Sequence, residues 1–262
     1  EIGKNGSATI TIEIDNKTHK TFSAGSAVDA GGGLVKLPLA SGHGFLAGER
    51  VCIDGTVNYD GVFVINSVEE TYIIIPATYV AESIQANAVV RVVITNVGRF
   101  SCNMNPIILK AKSYTAGTWQ KQSVVFYNNL GYSRPYFSGL FSESHVIGIK
   151  VFTEASIGFQ SASCNSLFYD YCSVSGSTSF AALSASQGGF VRAMCLSVKK
   201  ASRCLESVYG VNLVSHECVT VSDVAYGLYA DYAGTIIKTS AQQPTGSTAN
   251  EYAVTSRGGQ IR

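Results

Sequence analysis

Five acidic residues in the C-terminal half of the sequence have the chemistry to cleave a saccharide. Glycoside hydrolysis uses two carboxyl groups that flank the scissile bond, about 5–10 Å apart. Carboxylates on neighbouring turns of a repetitive β structure could meet that separation. The candidates are Asp170, Glu206, Glu217, Asp223 and Asp231. Isolated acids in a β-rich chain are more often solvated turn residues, so we predict no catalytic residue and keep saccharide cleavage as the alternative.

Two histidines stand near acids, a pairing that can serve proton transfer. His145 follows Glu143 by two residues, and His216 directly precedes Glu217. Imidazole titrates near neutral pH and is the commonest general base. The sequence has no Gly-x-Ser-x-Gly nucleophile motif and no phosphate-binding loop. We therefore interpret both histidines as surface or hydrogen-bonded strand residues.

The seven cysteines have no Cys-x-x-Cys spacing, which zinc sites usually show. We predict free thiols that pack as small buried apolar side chains, in a protein made in a reducing cytoplasm. No metal ion and no cofactor is expected.

An aromatic segment at 127–141, "YNNLGYSRPYFSGLF", offers a candidate glycan site. Carbohydrate sites use aromatic faces, amides and an occasional guanidinium in this way. Aromatic side chains are equally typical of subunit interfaces, and a plain core position is a third reading. The glycan-binding candidates are Tyr127, Tyr132, Arg134, Tyr136 and Phe137.

Composition excludes several classes of function. Charged residues make up only 14 % of the chain and the net charge is +1, so no basic excess favours nucleic acid or a membrane surface. No apolar run reaches the 18 or more residues typical of a membrane span. The low charge content predicts that much of the surface is covered, either by neighbouring subunits or by close packing of small polar residues. The first residue is Glu1 and no signal-peptide pattern follows, so we expect a segment of a longer or processed chain.

The elements that position these residues are predicted to be strands throughout. Short runs rich in β-branched and aromatic residues, such as "TITIEI" (9–14) and "HVIGIKVF" (145–152), are punctuated by 26 glycines. Three zones follow from composition. Residues 1–33 are a strand segment ending in a Gly-rich linker, residues 34–97 are a small β-barrel module, and residues 98–262 form a β-helical region.

The β-helical prediction depends on irregular repetition near the C-terminus. The phrases Tyr209-Gly210-Val211 and Tyr226-Gly227-Leu228 begin 17 residues apart, which favours turns of 14–18 residues with the two tyrosines in equivalent positions. Cys195, Cys204 and Cys218 are then interior residues. A β-sandwich is the alternative fold. Chains that each wind their own helix and assemble as a trimer are favoured over three intertwined chains, and the pattern does not decide between them.

Two stretches resemble bacteriophage virion proteins. The pattern "HGF…GERV.IDGT.NYDG" at 43–61, followed by "YIIIPATYVA", resembles a small β-barrel module of phage tail proteins. Tyr226–Ala230 and Gln243–Tyr252 resemble the C-terminal turns and tail of phage tail-spike and tail-fibre proteins. The module implies a structural or docking role and supplies no catalytic residue.

The resemblance implies a right-handed parallel β-helix-like region, a homotrimer and a place in the virion tail after synthesis in the host bacterial cytoplasm. The implied partners are other virion tail proteins and a host cell-surface polysaccharide, without nucleic acid or membrane insertion. The predicted function is attachment to that polysaccharide. A tail-spike depolymerase (glycosidase or lyase) and a baseplate or virion connector without a receptor role are the alternatives.

Overall fold

A computed structural model of the 262-residue chain describes most of its residues. The described ranges are 9–16, 18–95, 97–101, 105–113, 121–128, 135–140, 143–154, 156–176, 179–193, 196–209, 212–216, 220–238 and 251–262. Strands account for 62 % of the structure, and the described residues contain no helix. The all-β prediction is therefore confirmed. No helix long and apolar enough to cross a bilayer occurs in these ranges.

The chain divides into two compact units. One unit comprises residues 15–94 with 123–125, and the other comprises residues 1–14, 95–122 and 126–262. The main part of the smaller unit, residues 15–94, thus lies in sequence between the first strand of the larger unit and the rest of that unit.

The smaller unit is antiparallel. Its strands are β2 (His19–Thr21), β3 (Gly25–Ser26), β4 (Val28–Gly31), β5 (Leu34–Pro38), β6 (Arg50–Asp54), β7 (Gly61–Val64), β8 (Ser67–Glu69), β9 (Tyr72–Pro76), β10 (Ser83–Ile84) and β11 (Val89–Val92). They form two four-stranded sheets, ordered β2-β11-β6-β7 and β4-β5-β9-β8, and one pair, β10-β3. Alternate residues such as Val35 and Leu37, or Ile73 and Ile75, are fully buried in one core.

Part of the segment predicted as a linker belongs to this unit. Strands β2, β3 and β4 all precede residue 34 and pair with later strands. The three consecutive glycines close the β4–β5 hairpin, and each has a positive φ, of 63–77°. Asp29 Oδ1 accepts a hydrogen bond from the Gly31 N–H at 2.8 Å. A run of glycines supplies left-handed backbone for a tight turn as readily as flexibility for a linker.

The larger unit is a parallel β-solenoid of about four turns. Its strands are β1 (Ile10–Ile14), β12 (Arg99–Ser101), β13 (Ile107–Ala111), β14 (Val124–Asn128), β15 (Tyr136–Ser138), β16 (Ser144–Ile147), β17 (Ile149–Thr153), β18 (Phe159–Asp170), β19 (Cys172–Ser175), β20 (Ala181–Ala193), β21 (Leu196–Val208), β22 (Asn212–His216), β23 (Thr220–Ala230), β24 (Thr235–Lys238), β25 (Glu251–Thr255) and β26 (Gln260–Ile261). The described pairings of this unit are parallel, so each strand stacks on its equivalent in the next turn.

The strands form three columns, which we call sides 1, 2 and 3. Side 1 contains β12, β15 and β25 with parts of β18, β20, β21 and β23. Side 2 contains β1, β13, β16, β22, β24 and β26 with the ends of β18 and β20. Side 3 contains β14, β17 and β19 with the starts of β21 and β23. Apolar residues such as Phe159, Leu183, Leu205 and Leu228 stack in register inside side 1, each fully buried.

One solenoid turn is longer than the sequence indicated. Gln160, Ser184, Glu206 and Tyr229 are successive partners on side 1, so equivalent residues lie 24, 22 and 23 positions apart. The prediction of 14–18 residues is wrong, because each turn contains three strands and three corners. The two Tyr-Gly phrases are therefore not equivalent.

Residues with left-handed backbone recur at the corners that the structure describes. The corner between sides 1 and 2 has φ of 43–62° at Gly139, Ser163, Gln187, Tyr209, Tyr232 and Arg257. The corner between sides 3 and 1 has φ of 53–85° at Gly176, Lys200 and Asp223. A single residue with positive φ changes the direction of an extended chain, and the strands before and after it keep their parallel hydrogen bonds. These corners fix which side chains project at the edges of the solenoid.

Candidate functional site

The structure distributes the predicted carboxylates over different parts of the solenoid. Asp170 ends β18 on side 2, whereas Glu206 lies on side 1. Asp231 follows β23 on side 1, and Asp223 is an exposed corner residue. Glu217 lies outside the described residues. Asp170 therefore shares no side with Glu206, and these two are not a candidate catalytic pair.

Glu206 and Asp231 are the two candidates that come nearest by register. Glu206 opposes Tyr229 of the next turn, and Asp231 is two residues beyond Tyr229. Both carboxylates are nearly buried and already have partners. Glu206 forms an ion pair with Arg203, whose guanidinium lies 4.0 Å from the Tyr229 ring centroid. Asp231 accepts a hydrogen bond from the Tyr232 N–H at 2.8 Å. Such engagement is typical of carboxylates that hold a fold together.

His145 forms the centre of a polar cluster on side 2. Its Nδ1 lies 3.0 Å from Asp170 Oδ2, and its Nε2 lies 3.2 Å from Glu143 Oε1. Its ring stacks on Phe168 of the next turn, with centroids 4.8 Å apart and planes 13° from parallel. His145 is thus a hydrogen-bonded strand residue, as predicted. The strand position of His216 is described, but its side chain is not.

The predicted aromatic glycan site is largely interior in the structure. Phe137 is fully buried and stacks on Phe100 with centroids 5.1 Å apart. Tyr127 is buried and donates its hydroxyl hydrogen bond to Glu154 Oε2 at 3.0 Å. Tyr136 is partly exposed, with the Arg99 guanidinium 5.5 Å from its ring centroid. Tyr132 and Arg134 lie outside the described residues. Of the described candidates, only Tyr136 has a ring that solvent reaches appreciably.

A different aromatic surface stands at the corner between sides 1 and 2. Tyr209 and Tyr232 stack on consecutive turns with ring centroids 4.8 Å apart and an interplanar angle of 18°. They remain 61 % and 40 % exposed. The Arg257 guanidinium lies 4.2 Å from the Tyr232 centroid and extends the stack by another turn. We call these three residues the corner stack.

The corner stack follows from the solenoid geometry. All three residues have left-handed backbone, and the chain direction changes at each of them. Their side chains consequently project at the edge. Sequence reasoning paired Tyr209 with Tyr226 and missed Tyr232. The spacing of 23 residues between Tyr209 and Tyr232 is the signal that identifies the stack once the turn length is known.

The buried thiols are unsuited to nucleophilic chemistry. Cys164, Cys172 and Cys204 are free and buried, which confirms the interior position predicted for Cys204. Cys195 and Cys218 lie outside the described residues. Burial raises the pKa of the Cys172 thiol to about 12 and raises the pKa of Cys204 further. Within the described ranges, no three His, Cys, Asp or Glu side chains are placed to hold a metal ion.

No protein-family model matches the chain, and no curated protein matches it significantly.

Proposed function

We propose that this chain is a segment of a bacteriophage tail spike or tail fibre that attaches the virion to a host cell-surface polysaccharide. The observation that carries the proposal is the corner stack, because it holds two tyrosine rings in the solvent on a β-solenoid. Aromatic rings present a large apolar face to the C–H face of a sugar, and the tyrosine hydroxyl remains free for polar contacts.

The solenoid supports this role because its corners are preorganised. Tyr209 and Tyr232 follow strands whose backbones are paired in parallel register over successive turns. A ligand that binds to a fixed stack orders few side chains on binding, which lowers the entropic cost. A weak saccharide site is effective when it is repeated, and a homotrimer would present three sites on one particle.

A binding measurement with the corner variants tests the proposal. The protein is applied to an array of purified bacterial capsular and O-antigen polysaccharides. The double variant Tyr209→Ala/Tyr232→Ala is compared with Tyr79→Ala, a tyrosine of the smaller unit that is also 40 % exposed. In nucleic-acid-binding proteins, stacking of one nucleobase on an aromatic side chain is worth about 1–3 kcal/mol. With the same range for a sugar ring, we expect the double variant to lose roughly tenfold or more in affinity. Tyr79→Ala should bind like the wild type.

Three results would contradict the proposal. The first is that no polysaccharide on the array binds the protein. The second is that the double variant binds like the wild type, and the third is that Tyr79→Ala loses as much affinity as the double variant. The same incubation detects the depolymerase alternative, since shortened polysaccharide that disappears in Glu206→Gln or Asp231→Asn would indicate cleavage on side 1. Capture of another virion protein without any polysaccharide binding would favour the connector role.

A further inference from the structure

Arg192 is a cation on side 2 whose partners are aromatic rings. Its guanidinium lies 5.3 Å from the Phe168 ring centroid and 4.7 Å from the Phe190 centroid. Among the described residues, it donates no hydrogen bond and has no carboxylate partner. The Nε–H is buried and unpaired. Buried donors in native proteins nearly always have a partner, so the unpaired Nε–H marks a guanidinium that its protein neighbours do not fully satisfy.

The neighbouring charges do not neutralise Arg192. His145, Phe168 and Arg192 occupy equivalent positions on three successive turns of side 2. Phe168 therefore lies between His145 and Arg192. The nearby acids Asp170 and Glu143 both lie within hydrogen-bond distance of His145. Of the acidic groups that the structure describes here, Asp170 and Glu143 are thus engaged by the imidazole, and the guanidinium remains available to a ligand.

We propose that Arg192, fixed by Phe168 and Phe190, binds the carboxylate of an acidic saccharide. A planar guanidinium presents parallel N–H groups that match a carboxylate in a bidentate pair. Contact with the two rings holds the guanidinium in position before the ligand binds. Little side-chain entropy is therefore lost on binding. Phe168 and Phe190 offer apolar edges beside the charge for the sugar ring. This inference rests on the proposed function and names the ligand class.

Arg192 and the corner stack lie within reach of one oligosaccharide. Gln187 precedes Tyr209 by one turn in the same corner, and Arg192 lies five residues beyond Gln187 along the chain. At a strand rise of ~3.3 Å per residue, this separation is on the order of 15 Å. A short oligosaccharide that stacks at the corner can therefore extend across side 2 to the guanidinium.

Matched polysaccharides test the ligand class. Polygalacturonate, its fully methyl-esterified form and a phosphomannan are immobilised, and binding is measured by biolayer interferometry. The variants are Arg192→Gln, Arg192→Lys and the control Arg99→Gln. Arg99 also lies over an aromatic ring, that of Tyr136, but its Nε donates a hydrogen bond to Ser138 Oγ at 2.6 Å. We expect the wild type to prefer polygalacturonate over the ester by about tenfold or more, as charge-assisted hydrogen bonds require.

In Arg192→Gln this preference should disappear, while binding of the ester stays unchanged. Arg192→Lys should keep part of the preference for polygalacturonate, because lysine keeps the positive charge but lacks the parallel N–H groups of the guanidinium. Arg99→Gln should behave like the wild type. Equal binding of acid and ester by the wild type, or a preference that survives in Arg192→Gln, overturns the carboxylate assignment. A stronger response to phosphomannan than to polygalacturonate overturns it in favour of phosphate.

A second measurement separates the two proposals. Free galacturonate is titrated into the ¹⁵N-labelled protein, and the Arg192 Nε–H signal is followed by NMR with galactose as the neutral control. A shift with galacturonate alone supports the anion site even if no polysaccharide binds, which would count against the attachment role only. Polysaccharide binding that depends on Tyr209 and Tyr232, without this shift, supports attachment and overturns the Arg192 inference.

Discussion

At the scale of single residues, the smaller unit contains a buried guanidinium that is paired with a carboxylate. Arg91 is fully buried and forms an ion pair with Asp54. Cys52 Sγ lies 3.3 Å from Arg91 Nη2 and 3.4 Å from Asp54 Oδ2. Burial opposes the charged form of Arg91, but Asp54 and Cys52 together outweigh burial, so the pKa of the guanidinium is raised. Removing the carboxylate would leave an uncompensated cation in the interior.

We therefore expect Asp54→Asn to lower the free energy of unfolding by about 3–5 kcal/mol. The measurement is urea unfolding followed by circular dichroism. Glu69→Gln is the matched control, because Glu69 pairs with Lys36 at 2.5 Å on the surface. An exposed pair is worth about 0–1 kcal/mol. Equal effects of the two substitutions would show that Arg91 does not depend on Asp54.

His19 gives this unit a pH-dependent stability. Burial lowers the pKa of His19, and the nearby Arg91 and Lys20 lower it further. Its Nε2 is buried without a partner among the described residues. The unfolded chain then binds more protons than the folded chain below the ordinary histidine pKa of about 6.5. The contribution of His19 is present above that pH and is lost as the pH falls through the folded pKa.

Comparison of the wild type with His19→Gln at pH 8 and pH 5 isolates this contribution. The free energy of unfolding of the wild type should fall more on acidification than that of the variant. A parallel loss in both proteins would assign the pH dependence to other groups, and a smaller loss in the wild type would reverse the expected sign.

At the scale of elements, the chain changes direction at the corner between sides 1 and 2. Just after this corner, the backbone packs closely against the backbone of the preceding turn. Gly234 comes two residues after the corner residue Tyr232. A Cβ atom at Gly234 would lie 2.2 Å from the backbone oxygen of Ser207, one turn earlier. Gly259 has the same relation to Ala230, at 2.1 Å. Successive turns thus repeat a backbone contact that only glycine permits.

We expect Gly234→Ala to destabilise the solenoid by about 1–3 kcal/mol, because the added methyl group meets backbone that cannot rotate away. Thermal unfolding measures the effect. Gly98→Ala is the control, since a Cβ atom there meets nothing within 4 Å. If both substitutions leave the unfolding temperature unchanged, the close approach at Gly234 is not a constraint on the fold.

At the scale of the whole molecule, the proposed attachment role calls for several copies of the site on one particle. Charged residues make up 14 % of the chain, which leaves few charges to keep an isolated solenoid surface solvated. The proposed homotrimer would cover part of that surface and multiply weak saccharide contacts.

Multi-angle light scattering checks the assembly directly. We expect a mass three times the 27.7 kDa of one chain. A mass near 27.7 kDa at micromolar concentration would contradict the trimer and would leave the corner stack as a single weak site.

The sequence by itself determined the all-β class, the stacking of strands in the C-terminal region and the interior place of Cys204. These features follow from local alternation and composition, which act over a few residues. The sequence did not disclose the turn length of 22–24 residues on side 1, since irregular corners hide a period of that size. Only the tertiary structure decided that Tyr209 stacks on Tyr232, that Phe137 is interior and that Arg192 lies over the rings of Phe168 and Phe190. Those neighbours are set by the register between turns, and register is a property of the folded chain as a whole.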